Sequence, residues 1–133
     1  MAYTPDPKLI ERAAEPVAWL TTVTPRGRPA PRPVWFVLDG DDIIVFSQPE
    51  TAKLRHIAAN PEVSFHLNSD EGGGSILVVN GRAHVEEGKA SDAPGYLDKY
   101  ESSFAGIGFA DAAAFDASYS VRLRIVPERS WGF

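Results

Sequence analysis

Nine residues near the end of the chain, SYSVRLRIV (Ser118 to Val126), constrain the fold more than any other stretch. Tyr119, Val121, Leu123 and Ile125 fall on one side, Arg122 and Arg124 on the other. A strict period of two describes a half-buried β-strand; a helix would scatter the same side chains around its axis. Five further runs upstream read the same way: VAWLTTVT (Val17 to Thr24), PRPVWFVLD (Pro31 to Asp39), IIVFS (Ile43 to Ser47), VSFHLN (Val63 to Asn68) and SILVVNGRAHVEE (Ser75 to Glu87). Each is rich in β-branched or aromatic residues and is bounded by turn-forming ones. The first three are expected to form an antiparallel meander. In the longest, Leu77, Val79, Gly81, Ala83 and Val85 share a face, and Gly81 at its middle marks a bulge or a close backbone approach. Pro31 and Pro33 cannot donate to a ladder, so that end of the second run belongs at an edge or flanks something that is not a strand. Six strands, mostly sequential, predict a mainly β protein built as a small closed or nearly closed antiparallel barrel.

Helices are few. Asp6-Pro7 supplies a cap and first-turn proline for a short helix within the first sixteen residues. A second opens near Glu50 or Thr51, carries Leu54, Ile57 and Ala58 as an apolar stripe, and stops at Asn60-Pro61. Residues 89–116 form a helical insert, capped at Ser91 or Asp92, striped by Tyr96, Leu97 and Tyr100, and broken at Gly106-Ile107-Gly108, with a further turn from Ala112 to Phe115. PERSWGF reads as a tail. The chain has the size of one domain, residues 1–133.

Composition narrows the function classes. A net charge of −5 argues against a nucleic-acid binder and against attraction to an anionic membrane. No apolar run approaches the roughly 18 residues that a span needs, and no secretory pattern opens the chain, so a cytoplasmic protein is expected. Zero Cys removes disulfides, thiolate chemistry and cysteine metal sites, and no metal is expected.

The charge distribution says more than the total. Lys53, Arg55 and His56 crowd the first turn and a half of the second helix, where free N–H groups already make the potential positive. Cations there cost about 0.3–1 kcal/mol each. Arg26, Arg28 and Arg32 precede them in a segment without acids, so five of the 13 basic residues lie within thirty positions. Either this is a solvated basic patch or the helix start holds a small anion.

Other chemistry is not indicated. There is no nucleophile elbow, GxGxxG or phosphate-loop pattern. His56, His66 and His84 lack metal-ligand spacing as a cluster, and the latter two sit on strands as structural histidines. Trp131-Gly132-Phe133 either packs on the protein's own core or on a partner subunit, or brings Trp131 over a planar ligand.

In order, the segments GRPAPRPVWF, IIVFSQPETAKLRHIAANPEVSF, NGRAHV and RIVPERSWGF resemble the flavin-type split barrel. The resemblance is closest to the deazaflavin-dependent (coenzyme F-420) branch of the pyridoxamine 5′-phosphate oxidase-like superfamily. The likeness runs from about Glu15 to the last residue. Its most specific piece is S-x-P-x-x-x-K-x-R-[HN]-I with a following N-P, here Ser47 to Pro61. The resemblance implies a six-stranded antiparallel split β-barrel, homodimeric, with two cofactor sites at the subunit interface. It implies that Lys53 and Arg55 hold the cofactor phosphate beside His56, that Pro33, Val34, Trp35, Phe36 and Ser47 flank the ring system, and that Trp131 and Gly132 complete the pocket, often across the dimer. Arg32, with Arg26 and Arg28, would meet the anionic coenzyme tail. The chain lacks the C-terminal arginine motifs that bind pyridoxal phosphate in true pyridoxamine phosphate oxidases, which speaks against that activity.

The activity so implied is hydride transfer between reduced coenzyme F-420 and a small conjugated organic substrate. The alternatives are an FMN-binding oxidoreductase of the same fold, a non-catalytic cofactor carrier, and a haem-binding barrel using His56, His66 or His84. The substrate pocket is expected to use Trp35, Trp131, Phe104 and Phe109.

Overall fold

The computed structural model describes Thr4 and residues 6–133. The elements are α1 (Pro7–Glu11), β1 (Ala18–Val23), β2 (Pro29–Val34), β3 (Val37–Asp39), β4 (Asp42–Ser47), α2 (Ala52–Ala59), β5 (Glu62–Leu67), β6 (Leu77–Glu86), α3 (Tyr96–Tyr100), α4 (Ala112–Ser118) and β7 (Val121–Gly132), with three short 3-10 turns flanking α3. Of the segment expected to hold the first helix, residues 1–3 and 5 lie outside the described residues; α1 itself starts at Pro7, with the Asp6 carboxylate accepting the Lys8 N–H at 2.9 Å.

Seven strands, not six, form one antiparallel sheet in the order β2-β1-β5-β6-β7-β4-β3. The correction lies in the second run, Pro31 to Asp39, which breaks at Trp35-Phe36. β2 pairs with β1, β3 pairs with β4, and the two pieces sit at opposite edges. Two separate hairpins thus replace the expected meander, and among the described residues no ladder joins the edges. Prolines at 29, 31 and 33 explain one half of this. Alternate residues of a strand turn their N–H groups to opposite sides, so β2 has a side without donors and cannot be internal.

The other half comes from the insert. At the break the Phe36 N–H is accepted by the Tyr100 hydroxyl at 2.9 Å, and the Phe36 carbonyl accepts from Lys99 Nζ at 2.7 Å. The same ammonium donates to the Ala13 carbonyl at 2.7 Å, and the Tyr100 hydroxyl has the Pro16 carbonyl at 2.8 Å. Side chains from α3 therefore replace the ladder bonds that Phe36 forgoes, and buried main-chain groups stay paired. The expected cap at Ser91 or Asp92 is not used for α3, which is capped by Gly95 in the left-handed conformation.

Two apolar layers result. Leu20, Phe36, Ile43, Val45, Phe65, Leu77, Val79, Leu123 and Ile125 pack together as one buried cluster. Val37, Ile44 and Phe46 on the opposite side pack beneath Tyr96, Tyr100, Phe104 and Phe115 of the insert. β4 is covered on both faces, which is why IIVF is apolar without alternation. The terminal segment is not a loose tail: β7 continues to Gly132 and pairs with β6 from Glu86 to Leu77. The register shifts at Asn80/Gly81, and a Cβ on Gly81 would lie 2.3 Å from the Val126 carbonyl oxygen. Bulge and close approach coincide there.

Gly81→Ala is accordingly expected to cost ~1–3 kcal/mol in urea unfolding, the usual price of overpacking. Gly106→Ala, with nothing within 4 Å of its Cβ, should stay within about 0.5 kcal/mol of wild type; equal losses would remove the close approach as the cause. Lys99 offers a second test. Burial beside Phe36 and Tyr100 pulls its ammonium down to about 8, against a smaller opposing pull from Glu15. Between that value and the ordinary lysine pKa of about 10.4, the unfolded chain binds a proton that the native protein has released, so stability rises with pH. The stability of wild type relative to Lys99→Met should therefore increase from about pH 7.5 to about pH 9.5; a difference that stays flat would show that Lys99 is not desolvated.

Candidate functional site

One open cavity of about 550 Å³ forms where the end of β2, the start of α2 and the insert meet. Four consecutive residues at the β2 break, Arg32, Pro33, Val34 and Trp35, line one part. Thr51, Ala52 and Lys53 bring the first turn of α2, and Phe46 comes from β4. Val17 before β1, with Tyr96, Ile107, Phe115 and Tyr119, completes it. The aromatic part is ordered by stacking: Trp35 lies nearly parallel to Tyr100 (4.5 Å between centroids, 5° between planes) and to Phe115 (5.9 Å, 17°), and Phe115 to Tyr119 (4.7 Å, 3°). Stacked on one another in this way, the rings form one continuous apolar wall.

The charged lining is of one sign. Arg32 and Lys53 reach the cavity and no carboxylate does. Burial pulls the Lys53 ammonium below its ordinary range, and the nearby Arg32 adds to the effect. Its single partner among the described residues is a neutral one, the Ser47 hydroxyl at 3.0 Å. The Thr51 side chain does not cap α2; its hydroxyl lies 3.1 Å from Ser47 Oγ instead. The Leu54 and Arg55 N–H groups both turn to the Thr51 carbonyl, leaving those of Ala52 and Lys53 without an acceptor among the described residues. Two cations and two N–H groups without an acceptor among the described residues meet at this corner, a charge arrangement that favours a small anion.

The acids are held elsewhere. Arg124 of β7 donates to Glu86 at 2.5 Å, to Asp39 at 2.7 Å and to Asp42 at 2.9 Å. Hydrogen bonds from Arg124 hold the Asp39 and Glu86 carboxyls below their usual range. The acidic turn that follows β3 is thus neutralised by β7 and does not cancel the basic corner.

Of the residues expected to bind a cofactor, Arg32, Pro33, Val34, Trp35 and Lys53 converge on the cavity, and Ser47 stands behind Lys53. Phe36 is fully buried in the sheet interior, edge-on to Phe65 at 5.1 Å. Arg55 is exposed and donates to the Glu50 carbonyl at 2.6 Å, steadying a residue at φ 62°. His56 Nδ1 lies 2.9 Å from the buried Thr22 hydroxyl. Trp131 and Gly132 do not line the cavity within the single chain. Trp131 is 54% exposed on the outer sheet face, and a Cβ on Gly132 would lie 2.0 Å from the Ile76 carbonyl oxygen. Phe104 is buried beneath the cavity wall, and Phe109 packs edge-on against Phe115, so neither lines it.

Sequence reasoning missed Thr51, Ala52, Phe46, Tyr96, Ile107, Phe115 and Tyr119. The helix start at Thr51 was a usable signal for the first two. For the aromatics there was none, because Tyr96 and Phe115 have the helical spacing of ordinary packing residues. Of the histidines outside α2, His66 stacks on Trp19 (6.3 Å, 9°) and His84 lies exposed, 3.6 Å from Glu86.

Comparison with known proteins agrees with this architecture. Among curated proteins none matches the chain in sequence. Among solved structures, an F420 reductase superposes with a TM-score of 0.73 at 22% identity, covering 96% of this chain and 98% of the other. A Listeria innocua protein named for pyridoxamine 5′-phosphate oxidase gives 0.68 at 25% identity, covering 95% and 97%. HutZ, the heme storage protein of Vibrio cholerae, gives 0.64 at 21% identity, covering 96% and 93%. One fold thus carries proteins with different tasks. The family model described as pyridoxamine 5′-phosphate oxidase matches residues 8–132, nearly the whole chain, and the protein belongs to that family.

Proposed function

We propose that the protein is a deazaflavin-dependent oxidoreductase, which uses reduced coenzyme F-420 to deliver a hydride to a small conjugated organic substrate. The observation that carries this reading is the pairing, in one cavity, of an unbalanced cationic corner with a wall of stacked aromatic rings. Arg32, Lys53 and the free N–H groups of Ala52 and Lys53 fit a phosphate and the anionic tail behind it. Pro33, Val34, Trp35 and the insert rings fit a planar ring system. When bound, the coenzyme would supply the hydride; the chain's own part is to bind, orient and shield. Similarity to an F420 reductase over nearly the full length of both chains supports the same branch.

The reading includes a second copy of the chain. Pro33, Trp19, His66, Val78 and Trp131 are cross-strand partners in one row over β2, β1, β5, β6 and β7. Their face points away from the interior, with Trp131 half exposed at its end. A homodimer packed on that face would cover the row and bring its aromatic end towards a cavity. FMN carries a phosphate monoester on a similar ring system, so it is the competing ligand for this cavity, with a cofactor carrier as the non-catalytic version.

Titration of the purified protein with coenzyme F-420, followed by fluorescence, is expected to give micromolar binding, and Lys53→Ala should weaken it by about 10- to 100-fold, as removal of a charged hydrogen bond does. Copurification of tightly bound FMN with no affinity for the deazaflavin would overturn the reading in favour of a flavin enzyme. Binding without turnover of any quinone or enone would leave the carrier.

A further inference from the structure

Tyr96 is 1% exposed, yet it contributes to the cavity lining. Its ring is held edge-on by Phe46 (5.1 Å, 82°) and packed against Tyr100 and Phe115. Its hydroxyl makes no hydrogen bond among the described residues, and it is not among the side-chain atoms sealed off without a partner. Of the polar groups nearby, the hydroxyl of Tyr119, which also lines the cavity, makes no hydrogen bond among the described residues, and two others are engaged elsewhere. The Tyr100 hydroxyl serves Phe36 and Pro16. The Asp116 carboxylate accepts from the Ser91 N–H at 3.1 Å and the Ser91 hydroxyl at 2.5 Å.

A hydroxyl that opens on the cavity and has no protein partner is satisfied only by what the cavity holds, water or a ligand, whereas phenylalanine would give the same packing without a donor. Desolvation, with smaller contributions from Tyr100, Tyr119 and Asp116, pushes the phenol above its ordinary range, so it stays a neutral O–H donor throughout the physiological range. What the cavity offers at Tyr96 is therefore a neutral donor fixed by its packing, set in an aromatic wall with the Trp35 indole and the half-buried Tyr119 hydroxyl and apart from the cations of the basic corner.

We propose that Tyr96 is a recognition residue whose hydroxyl donates to a carbonyl oxygen on a planar, conjugated, anionic ligand, the ligand's charged end being held by Arg32 and Lys53. This rests on the cavity being the ligand site, as the proposed function does, and adds the chemical feature by which the ligand is chosen. A site built to hydrogen-bond an oxygen rejects the analogue that lacks it, because the donor is then left unpaired. The carbonyl can belong to the coenzyme ring or to a substrate seated against it.

The test uses two soluble anions of similar shape, 1,4-naphthoquinone-2-sulfonate and naphthalene-2-sulfonate, read by quenching of tryptophan fluorescence with no coenzyme present. The absence of cysteine removes thiol addition to the quinone as a complication. Wild type should bind the quinone about tenfold more tightly than the hydrocarbon, and Tyr96→Phe should abolish that preference while leaving naphthalene-2-sulfonate binding unchanged. Tyr96→Phe should melt no lower than wild type, because it loses no intramolecular bond. A parallel titration with coenzyme F-420 identifies the source: weaker binding in Tyr96→Phe assigns the carbonyl to the coenzyme ring, and unchanged binding assigns it to the substrate. A wild type that does not discriminate, a Tyr96→Phe that discriminates equally, or a variant that melts several degrees lower would overturn the proposal. Loss of quinone preference in a protein that never binds the deazaflavin would sustain it while removing the coenzyme reading.

Discussion

The pairing of the Phe36 main chain with Lys99 and Tyr100 is the contact on which the remaining architecture depends. A strand that stops in the middle of an apolar run leaves buried N–H and C=O groups without a ladder. That state is tolerated only where other partners are supplied. Here they come from a short helix more than sixty residues further along. The break lets β2 and β3 serve opposite edges of one sheet. It also directs Phe36 into the interior and leaves Trp35 at the surface between sheet and insert, so the bond that allows the fold to split also forms the cavity wall.

A second consequence is electrostatic. An acidic protein has to keep its carboxylates away from any site that is to hold an anion. The two arginines that alternate along β7 face outward, and Arg124 gathers Asp39, Asp42 and Glu86 around itself. The basic corner at Arg32 and Lys53 is left uncompensated, and the first turn of α2, uncapped by Thr51, adds its N–H groups to it. The cations that seemed misplaced at a helix start are partly explained and partly redistributed. Lys53 faces the cavity, whereas Arg55 and His56 are tied to Glu50 and Thr22.

Local patterning carried a large share of the fold. The alternation around Leu123 and Ile125, the glycine at 81, the proline-bearing edge strand and the helix ending at Asn60-Pro61 all show in residue type and spacing, and each has its counterpart in the structure. Less of the site was legible. Arg32 to Trp35 and Lys53 were within reach because charge and proline placement are visible in one dimension. Tyr96, Phe115 and Tyr119 were not, since an aromatic residue at helical spacing has the same pattern whether it packs under a helix or borders a cavity.

By itself, the amino-acid sequence determined strand periodicity, the edge position forced by prolines 29, 31 and 33, the absence of thiol chemistry, and the concentration of positive charge between Arg26 and His56. These follow from side-chain stereochemistry and charge, which need no partner to be expressed. Tertiary structure alone decided that the second run divides at Phe36, that the terminal residues extend β7 along β6 to Gly132, and that only two of the clustered cations share one cavity. Each of those outcomes depends on a donor, an acceptor or a surface brought from far along the chain, and its energy exists only once the two segments are in contact.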